Sequence, residues 1–191
     1  TLACSLLLAL SALPCFAATP SASEQRMRAA IDADQPHAIA LLERLVNQNS
    51  GSLNLPGVTA VGEMVRAELE PLGFDVQWID MRATGRAGHL VATHRGNGRG
   101  NRVLMIGHLD TVFEPDSPFQ RFVRNGESAT GPGIAADKGG VVIIVSALRA
   151  MHAAGALRDA DIQVVLTGDE ESAGTPLAAA RADLVAAGKW A

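Results

Sequence analysis

The fold is decided by the stretch RVLMIGHLD, residues 102–110, in which an apolar run leads into a histidine and an aspartate. A second apolar run, DIQVVLTG at 161–168, ends in front of three carboxylates, and an apolar helix is predicted between the two, from Gly139 to Ala154. Strands that alternate with helices indicate an α/β domain with a central, mostly parallel sheet covered by helices on both faces. Ligands of such sheets gather at the carboxyl ends of the strands, where these polar residues lie.

The other predicted elements, which are separated by turn-forming residues, belong to the same class of fold. Further strands are expected at 74–80 and 89–95, and a hairpin around Asn125 and Gly126. Helical spacing of apolar residues predicts two helices between Ser23 and Val46 with a break at Asp34 to Pro36, one helix at 58–72, and a last one from Thr175 to Ala187.

The composition favours one folded, globular domain. The chain has 191 residues, of which 48% are hydrophobic and 19% are charged, as in ordinary globular proteins. Its net charge of −4 is mild, and lysine and arginine form no run. We therefore expect neither a nucleic acid nor a membrane surface as a partner.

The first residues resemble a secretory signal peptide. An apolar run extends from Leu2 to Leu13, and small residues lead to a cleavage site after Ala17. We assign residues 1–17 to this leader, whose start is incomplete, and expect an exported protein that is periplasmic or secreted. A buried N-terminal helix is the alternative. Both cysteines, Cys4 and Cys15, lie in the leader, so the mature protein is expected to form no disulfide.

The segment GPGIAADKGG, residues 131–140, combines four glycines with an aspartate and a lysine. Its first part fits the G-x-G-x-x-A fingerprint, whose backbone N–H groups hold the pyrophosphate of a dinucleotide. That fingerprint follows a buried strand, whereas the residues before Gly131, RNGESAT, are polar. Nucleotide binding is therefore the weaker interpretation of this loop, and metal binding is the stronger one.

Two strand ends carry side chains that favour a metal site. His108 and Asp110 are two residues apart and so point to the same side of a strand. Imidazole is a good zinc ligand, and a neighbouring carboxylate fixes its tautomer. The three consecutive carboxylates at 169–171 repel one another unless a cation is close. Ordinary strand-end hydrogen bonds and a solvated acidic turn are the alternatives for these two segments.

In this order, the segments HLDTV, GPGI-x-x-DKGG and DEE resemble the motifs of the zinc exopeptidase family that contains glutamate carboxypeptidase, aminoacylase, acetylornithine deacetylase and succinyl-diaminopimelate desuccinylase. The form of the glycine loop is most similar to the glutamate carboxypeptidase branch. The resemblance runs from about residue 25 to the end of the chain. We therefore assign residues 18–191 to the N-terminal portion of such a catalytic domain, a truncated one without the smaller lid domain of the family.

The resemblance implies a site for two zinc ions, in which His108 and Glu171 are metal ligands. It also implies that Asp110 orients His108 and that Glu170 is the general base, which takes a proton from water and passes it to the leaving amine. The implied activity is hydrolysis of a small peptide or an N-acyl amino acid, with release of a C-terminal amino acid that is expected to be Glu. The lid domain of the family implies a homodimer.

The sequence departs from the family pattern at one position. The bridging aspartate of the family is the second residue before the loop lysine, and here that residue is Ala136. A methyl group neither binds zinc nor supplies the negative charge that two adjacent dications need. We therefore expect this chain to be inactive, unless the loop rearranges to use Asp137 as the bridge. The alternative function is that of a catalytically dead homologue, which binds a peptide or a partner protein.

Overall fold

The computed structural model describes residues 19–191, so the predicted leader at 1–17 lies outside the described residues. In chain order the elements are α1 (Ala22–Asn47), α2 (Leu55–Leu69), β1 (Asp75–Asp80), β2 (Gly88–His94), β3 (Arg102–His108), β4 (Val123–Asn125), β5 (Ser128–Thr130), α3 (Lys138–Ala153), β6 (Asp161–Thr167), α4 (Leu177–Ala180) and α5 (Ala182–Trp190). The predicted strands and the hairpin are all present, with ends that differ from the prediction by at most two residues.

The sheet is mixed, with the strand order β1-β2-β6-β3. β3 and β6 are parallel, whereas the pairs β1–β2 and β2–β6 are antiparallel. The predicted α/β fold is thus confirmed, but parallel pairing holds only for β3 and β6. The reason is that β1 and β2 are joined by a short connection, which permits antiparallel pairing, and not by a crossover helix. The parallel pair carries the polar strand ends, since His108 pairs with Thr167.

The core lies between the sheet and the three longer helices. α2 contacts β1 and β2, α3 contacts β3, and α1 packs along α3. The buried side chains that fill this layer include Leu45, Val65, Leu90, Val145 and Val164. α5 contacts β3 and β6 and, with Gln77, Val91 and Gln163, lines a groove on the opposite face of the sheet. Helices therefore lie on both faces, as the sequence predicts.

The helix starts follow from side chains that accept hydrogen bonds from free backbone N–H groups. At the start of α1, Ser21 Oγ accepts from the N–H of Glu24 at 3.2 Å, which forms half of a capping box. At the start of α2, Asn54 Oδ1 accepts from the N–H of Gly57 at 3.2 Å. Within residues 19–191, no helix has both the length and the apolar character that crossing a membrane requires.

The predicted break at Asp34 to Pro36 is wrong, because α1 continues through Pro36. A proline inside a helix removes one backbone hydrogen bond. Contacts with the other two helices hold this part of α1 in place: the Asp34 carboxylate accepts two hydrogen bonds from Arg149 of α3, at 2.7 and 2.8 Å, and His37 contacts Glu68 of α2 at 2.8 Å. Tertiary contacts therefore outweigh the local preference for a break.

The predicted last helix, from Thr175 to Ala187, is also wrong as a single element. The structure divides it into α4 and α5, with Arg181 between them. Arg181 leaves helical backbone angles, at φ −115° and ψ 5°, and its guanidinium group donates to the carboxylate of Asp169 at 2.5 Å. The ion pair and the helix interruption thus occur at the same residue, and no local sequence pattern predicts this contact.

Candidate metal centre

The carboxyl ends of β3 and β6 bring together the four residues that the sequence predicts for the site. His108 is the last residue of β3, and Asp110 follows two residues later. Glu170 and Glu171 lie in the turn after β6, beside them. His108, Glu170 and Glu171 each present a potential ligand atom, and these atoms all lie within 4.8 Å of one another. The parallel pairing of the two strands therefore assembles the group.

The carboxylate of Asp110 is fully buried and organises this group. It accepts hydrogen bonds from the backbone N–H groups of Glu170 and Glu171 at 3.0 and 3.1 Å, and from the hydroxyl group of Ser52 at 2.6 Å. Burial acts to raise the pKa of Asp110, but the hydrogen bonds from His108, Ser52 and the two amides outweigh burial and lower it. Asp110 is therefore ionised at neutral pH, and it connects three segments that are distant in sequence.

The ring of His108 is held in one tautomer. Its Nδ1 lies 3.0 Å from the carbonyl oxygen of Asp110 and 3.3 Å from the carboxylate of the same residue. Both partners are acceptors, so Nδ1 carries the hydrogen and Nε2 keeps its lone pair. Nε2 lies 3.8 Å from the carboxylate of Glu170. This is the arrangement of a metal-binding histidine that an outer carboxylate orients.

Protonation competes with metal binding at His108. Burial acts to lower the pKa of this histidine, but Asp110, Glu170 and Asp137 outweigh burial and raise it. A histidine that binds a metal ion must be neutral. As the pH falls toward the raised pKa of His108, a metal ion must therefore displace a proton in order to bind.

The chemistry of the donor atoms fits a zinc ion, which binds imidazole nitrogen and carboxylate oxygen. His108 offers Nε2, and the carboxylates of Glu170 and Glu171 are exposed to solvent. Ala136 lines the same cavity as Glu171 and is itself exposed. The residue at the predicted bridging position therefore faces the same space as a predicted ligand, and it contributes only a methyl group.

The carboxylate of Asp137 is enclosed between β3 and α3. Its Oδ2 lies 3.3 Å from the backbone nitrogen of His108, and a side chain at either Gly107 or Gly140 would clash with this carboxylate. Asp137 does not belong to the group of clustered ligand atoms found among residues 19–191. This geometry supports a role for Asp137 in anchoring the end of β3 rather than in bridging two ions.

Asp169, the first carboxylate of the acidic segment, has a different environment from the two that follow. It is fully buried, and it accepts hydrogen bonds from Arg181 at 2.5 Å and from the N–H of Gly174 at 2.8 Å. The sequence presents the three carboxylates as one set. The half-buried partner that separates Asp169 from the others, Arg181, lies in the interruption between two helices, where no local sequence pattern predicts it.

His89 supports the same turn from β2. This fully buried side chain accepts a hydrogen bond through Nδ1 from the N–H of Gly168 at 3.2 Å. Its Nε2 therefore carries the hydrogen and donates to the carbonyl oxygen of Ala180 at 3.0 Å. Both ring nitrogens are thus occupied by backbone groups, so His89 holds the residues in front of Asp169 in place and is not available as a ligand.

The glycine loop does not have the setting of a dinucleotide site. It follows β5, an exposed strand of the two-stranded hairpin, outside the main sheet. Gly133 has a φ of +77°, and a Cβ atom there would lie 2.8 Å from a methyl carbon of Thr111. Glycine thus lets the loop approach the residues after β3 closely. The loop therefore lies beside the candidate metal centre, since Gly133 and Glu171 line the same cavity.

Lys138, the first residue of α3, is 1% exposed. Its ammonium group donates to the carbonyl oxygen of Gln48 at 2.8 Å and so ties α3 to the segment that carries Ser52. Burial lowers the pKa of Lys138 to about 8, because the charged form loses its hydration. The lysine belongs to the loop motif in the sequence, and no local pattern predicts that it is buried.

The variant Lys138→Met is expected to be more stable than the parent at pH 7 by about 2 kcal/mol. The lowered pKa corresponds to a cost of about 3 kcal/mol for burying the charge, which the substitution removes. Loss of the hydrogen bond to Gln48 reduces this gain by about 1 kcal/mol. Between pH 8 and 10.5, Lys138 is protonated in the unfolded chain but has released its proton in the folded chain. The stability of the parent therefore rises with pH over this range, and the stability difference between Lys138→Met and the parent shrinks. Urea unfolding at several pH values measures this, with the exposed Lys189→Met as control. A variant that is less stable at pH 7 contradicts the prediction.

The chain is similar in sequence to known peptidases. Residues 104–188 match the sequence model of Peptidase family M20/M25/M40. Carboxypeptidase G2 from Pseudomonas sp. (strain RS-16) is 34% identical over 142 residues, which are 72% of this chain and 33% of that protein. These matches confirm the resemblance found in the sequence: the chain is similar to part of the peptidases of this family.

Two solved structures show the same fold. Human carnosine dipeptidase 1 superposes with a TM-score of 0.70 and 20% identity, over 86% of this chain and 38% of that chain. The di-peptidase Dug1p from Saccharomyces cerevisiae superposes with a TM-score of 0.68 and 17% identity, over 84% and 37% of the two chains. The present chain thus spans about a third of the length of the relatives it matches.

Proposed function

We propose that this chain is part of a zinc-dependent peptidase that releases a C-terminal amino acid, with Glu as the expected residue, from a small peptide or an N-acyl amino acid. One observation carries the proposal: potential ligand atoms of His108, Glu170 and Glu171 all lie within 4.8 Å of one another, and the buried Asp110 fixes the orientation of the His108 ring. The similarity to Carboxypeptidase G2 supports a carboxypeptidase. Because the chain spans about a third of that relative, the activity belongs to the complete protein.

Each residue of the site has a separate role in the proposed hydrolysis. A zinc ion, when bound, supplies Lewis-acid polarisation of the scissile carbonyl group and lowers the pKa of water. His108 and Glu171 would hold the ion. Glu170 is proposed to accept a proton from water and to donate it to the leaving amine, and its exposed carboxylate, 3.8 Å from Nε2 of His108, supports this role. Asp110 keeps the backbone N–H groups of both glutamates in position.

A second candidate function is favoured by Ala136. A site that lacks the shared carboxylate holds two dications poorly. The same cleft then binds a peptide or a partner protein without hydrolysing it. This alternative predicts a protein that is folded at the site but carries no metal.

Zinc content distinguishes the two functions. The complete protein is dialysed against micromolar zinc and analysed by elemental mass spectrometry. We expect at least one zinc ion per chain in the parent and in His152→Ala, which changes an exposed histidine at the end of α3, and none in His108→Ala. Absence of zinc from the parent supports the binding protein. Equal zinc in the parent and in His108→Ala contradicts the site itself.

A further inference from the structure

Arg86, in the connection between β1 and β2, binds the end of the acidic turn, residues 169–173. Its Nε donates to the carbonyl oxygen of Ser172 at 2.6 Å, and its Nη2 donates to the hydroxyl oxygen of Ser172 at 2.7 Å and to the carbonyl oxygen of Ala173 at 3.2 Å. The remaining nitrogen, Nη1, donates to the carbonyl oxygen of Gly85 at 2.8 Å. Each nitrogen of the planar guanidinium group thus has an acceptor, so the half-buried side chain is held in one orientation.

The same connection touches the residues that follow the turn. The N–H of Thr175 donates to the carbonyl oxygen of Thr84, a buried residue, at 3.0 Å. A Cβ atom at Gly174 would lie 2.5 Å from Oγ1 of Thr84, so glycine permits this close approach. The contact of Arg86 with the turn is therefore one part of a continuous interface that the fold builds.

The two predicted site residues of the turn lie between two anchors. On one side, Asp110 accepts hydrogen bonds from the backbone N–H groups of Glu170 and Glu171. On the other side, Arg86 holds the two residues that come next. The carboxylates of both glutamates are exposed, so the backbone of the turn determines where they lie. Consecutive carboxylates repel one another, and a cation bound to the same turn offsets part of that repulsion.

We propose that Arg86 is a positioning residue of the candidate metal centre: it holds the end of the acidic turn so that the carboxylates of Glu170 and Glu171 stay beside His108. The inference rests on the proposed function and adds a residue to it. Arg86 binds backbone and hydroxyl groups of the turn, so it acts through the turn and not on the metal ion or the substrate. Loss of such a contact outside the metal ligands typically weakens metal binding by about 10- to 100-fold.

Hydrogen exchange in the zinc-free complete protein, followed by NMR, tests whether Arg86 holds the turn. In Arg86→Ala we expect the amides of Glu170 and Glu171 to exchange about tenfold faster than in the parent, because the turn opens more readily without its anchor. The amide of Val164, a fully buried residue of β6, should exchange at the parent rate. A general loss of stability would instead speed exchange at all three amides.

Zinc affinity tests whether the anchored turn matters to the metal ion. We expect the complete protein with Arg86→Ala to bind zinc at least about tenfold more weakly than the parent. Arg86→Lys should recover only part of this loss, because an ammonium group cannot reproduce the planar fork that spans Ser172 and Ala173. The matched control is Arg82→Ala, which removes the same charge from the same connection. The guanidinium group of Arg82 pairs with Asp80, so this variant should bind zinc as the parent does.

Failure of this inference can be told apart from failure of the proposed function. If the parent binds no zinc, the proposed function fails, and faster exchange at Glu170 and Glu171 in Arg86→Ala still supports Arg86 as the residue that positions the turn. Unchanged exchange at these two amides overturns the inference. Zinc binding by Arg86→Ala with the parent affinity, or an equal loss of affinity in Arg82→Ala, overturns it as well.

Discussion

Ala136→Asp is expected to raise zinc-dependent hydrolysis of an N-acyl glutamate by the complete protein by several orders of magnitude. The new carboxylate would face the cavity that Glu171 lines and supply the shared negative charge that two adjacent dications need. Activation of water by metal ions contributes many kcal/mol to such reactions, and about 1.4 kcal/mol is a factor of ten in rate. The measurement is kcat/KM together with zinc content, and the variant should hold more zinc than the parent.

The matched control is Ala135→Asp, which adds the same charge at an exposed position one residue earlier and should not restore activity. In the Ala136→Asp background, Glu170→Gln should abolish the regained activity while zinc stays bound, because it removes a proton acceptor and leaves His108 and Glu171 unchanged. If instead Asp137→Ala removes zinc from the unmodified protein, Asp137 is the bridge and the assignment of Ala136 to that position is wrong.

Asp110→Ala is expected to destabilise the protein by about 3–5 kcal/mol at pH 7, the range for removing one partner of a buried charged network. The change leaves the hydroxyl group of Ser52 and the N–H groups of Glu170 and Glu171 without their acceptor. The folded pKa of Asp110 is lowered, so its stabilisation is present above about pH 4 and is lost as the pH falls through that lower value. The difference between parent and variant should therefore narrow in acid.

Urea unfolding from pH 7 to pH 3 measures this difference. Asp116→Ala is the control, because Asp116 is an exposed aspartate in the loop after β3, and it should change stability by less than about 0.5 kcal/mol. A loss below about 1 kcal/mol for Asp110→Ala at pH 7 would show that water replaces the carboxylate and that Asp110 does not organise the site.

The strands and their polar ends could be predicted because each depends on a local pattern. An apolar run predicts a strand, and His108 and Asp110, which are two residues apart at the end of such a run, are expected to point to the same side. The roles that long-range contacts determine could not be predicted. Ser52 stands in an ordinary polar segment, and only the folded chain brings its hydroxyl group within 2.6 Å of Asp110.

The two errors in the helices have the same origin. Pro36 predicts a break on local grounds, and an ion pair between Asp34 and Arg149, at 2.7 Å, holds the helix across it. Arginine has a high helix propensity, so the sequence predicts that the helix continues through Arg181. The helix is instead interrupted at Arg181, which donates a hydrogen bond to the buried Asp169. In both places a side chain distant in sequence outweighs propensity, which contributes less than about 1 kcal/mol per ordinary residue.

The position of β6 determines when the site can form during synthesis. β6 is the last described strand in sequence but lies between β2 and β3 in the sheet. As the chain leaves the ribosome from its N-terminus, β3 lacks β6, its pairing partner in the sheet of residues 19–191, until synthesis has passed Thr167. The acidic turn follows β6 directly. The pairing of β6 with β3 therefore also brings Glu170 and Glu171 to His108. A nascent chain that ends before Glu170 therefore lacks two of the three clustered side chains of the candidate metal centre.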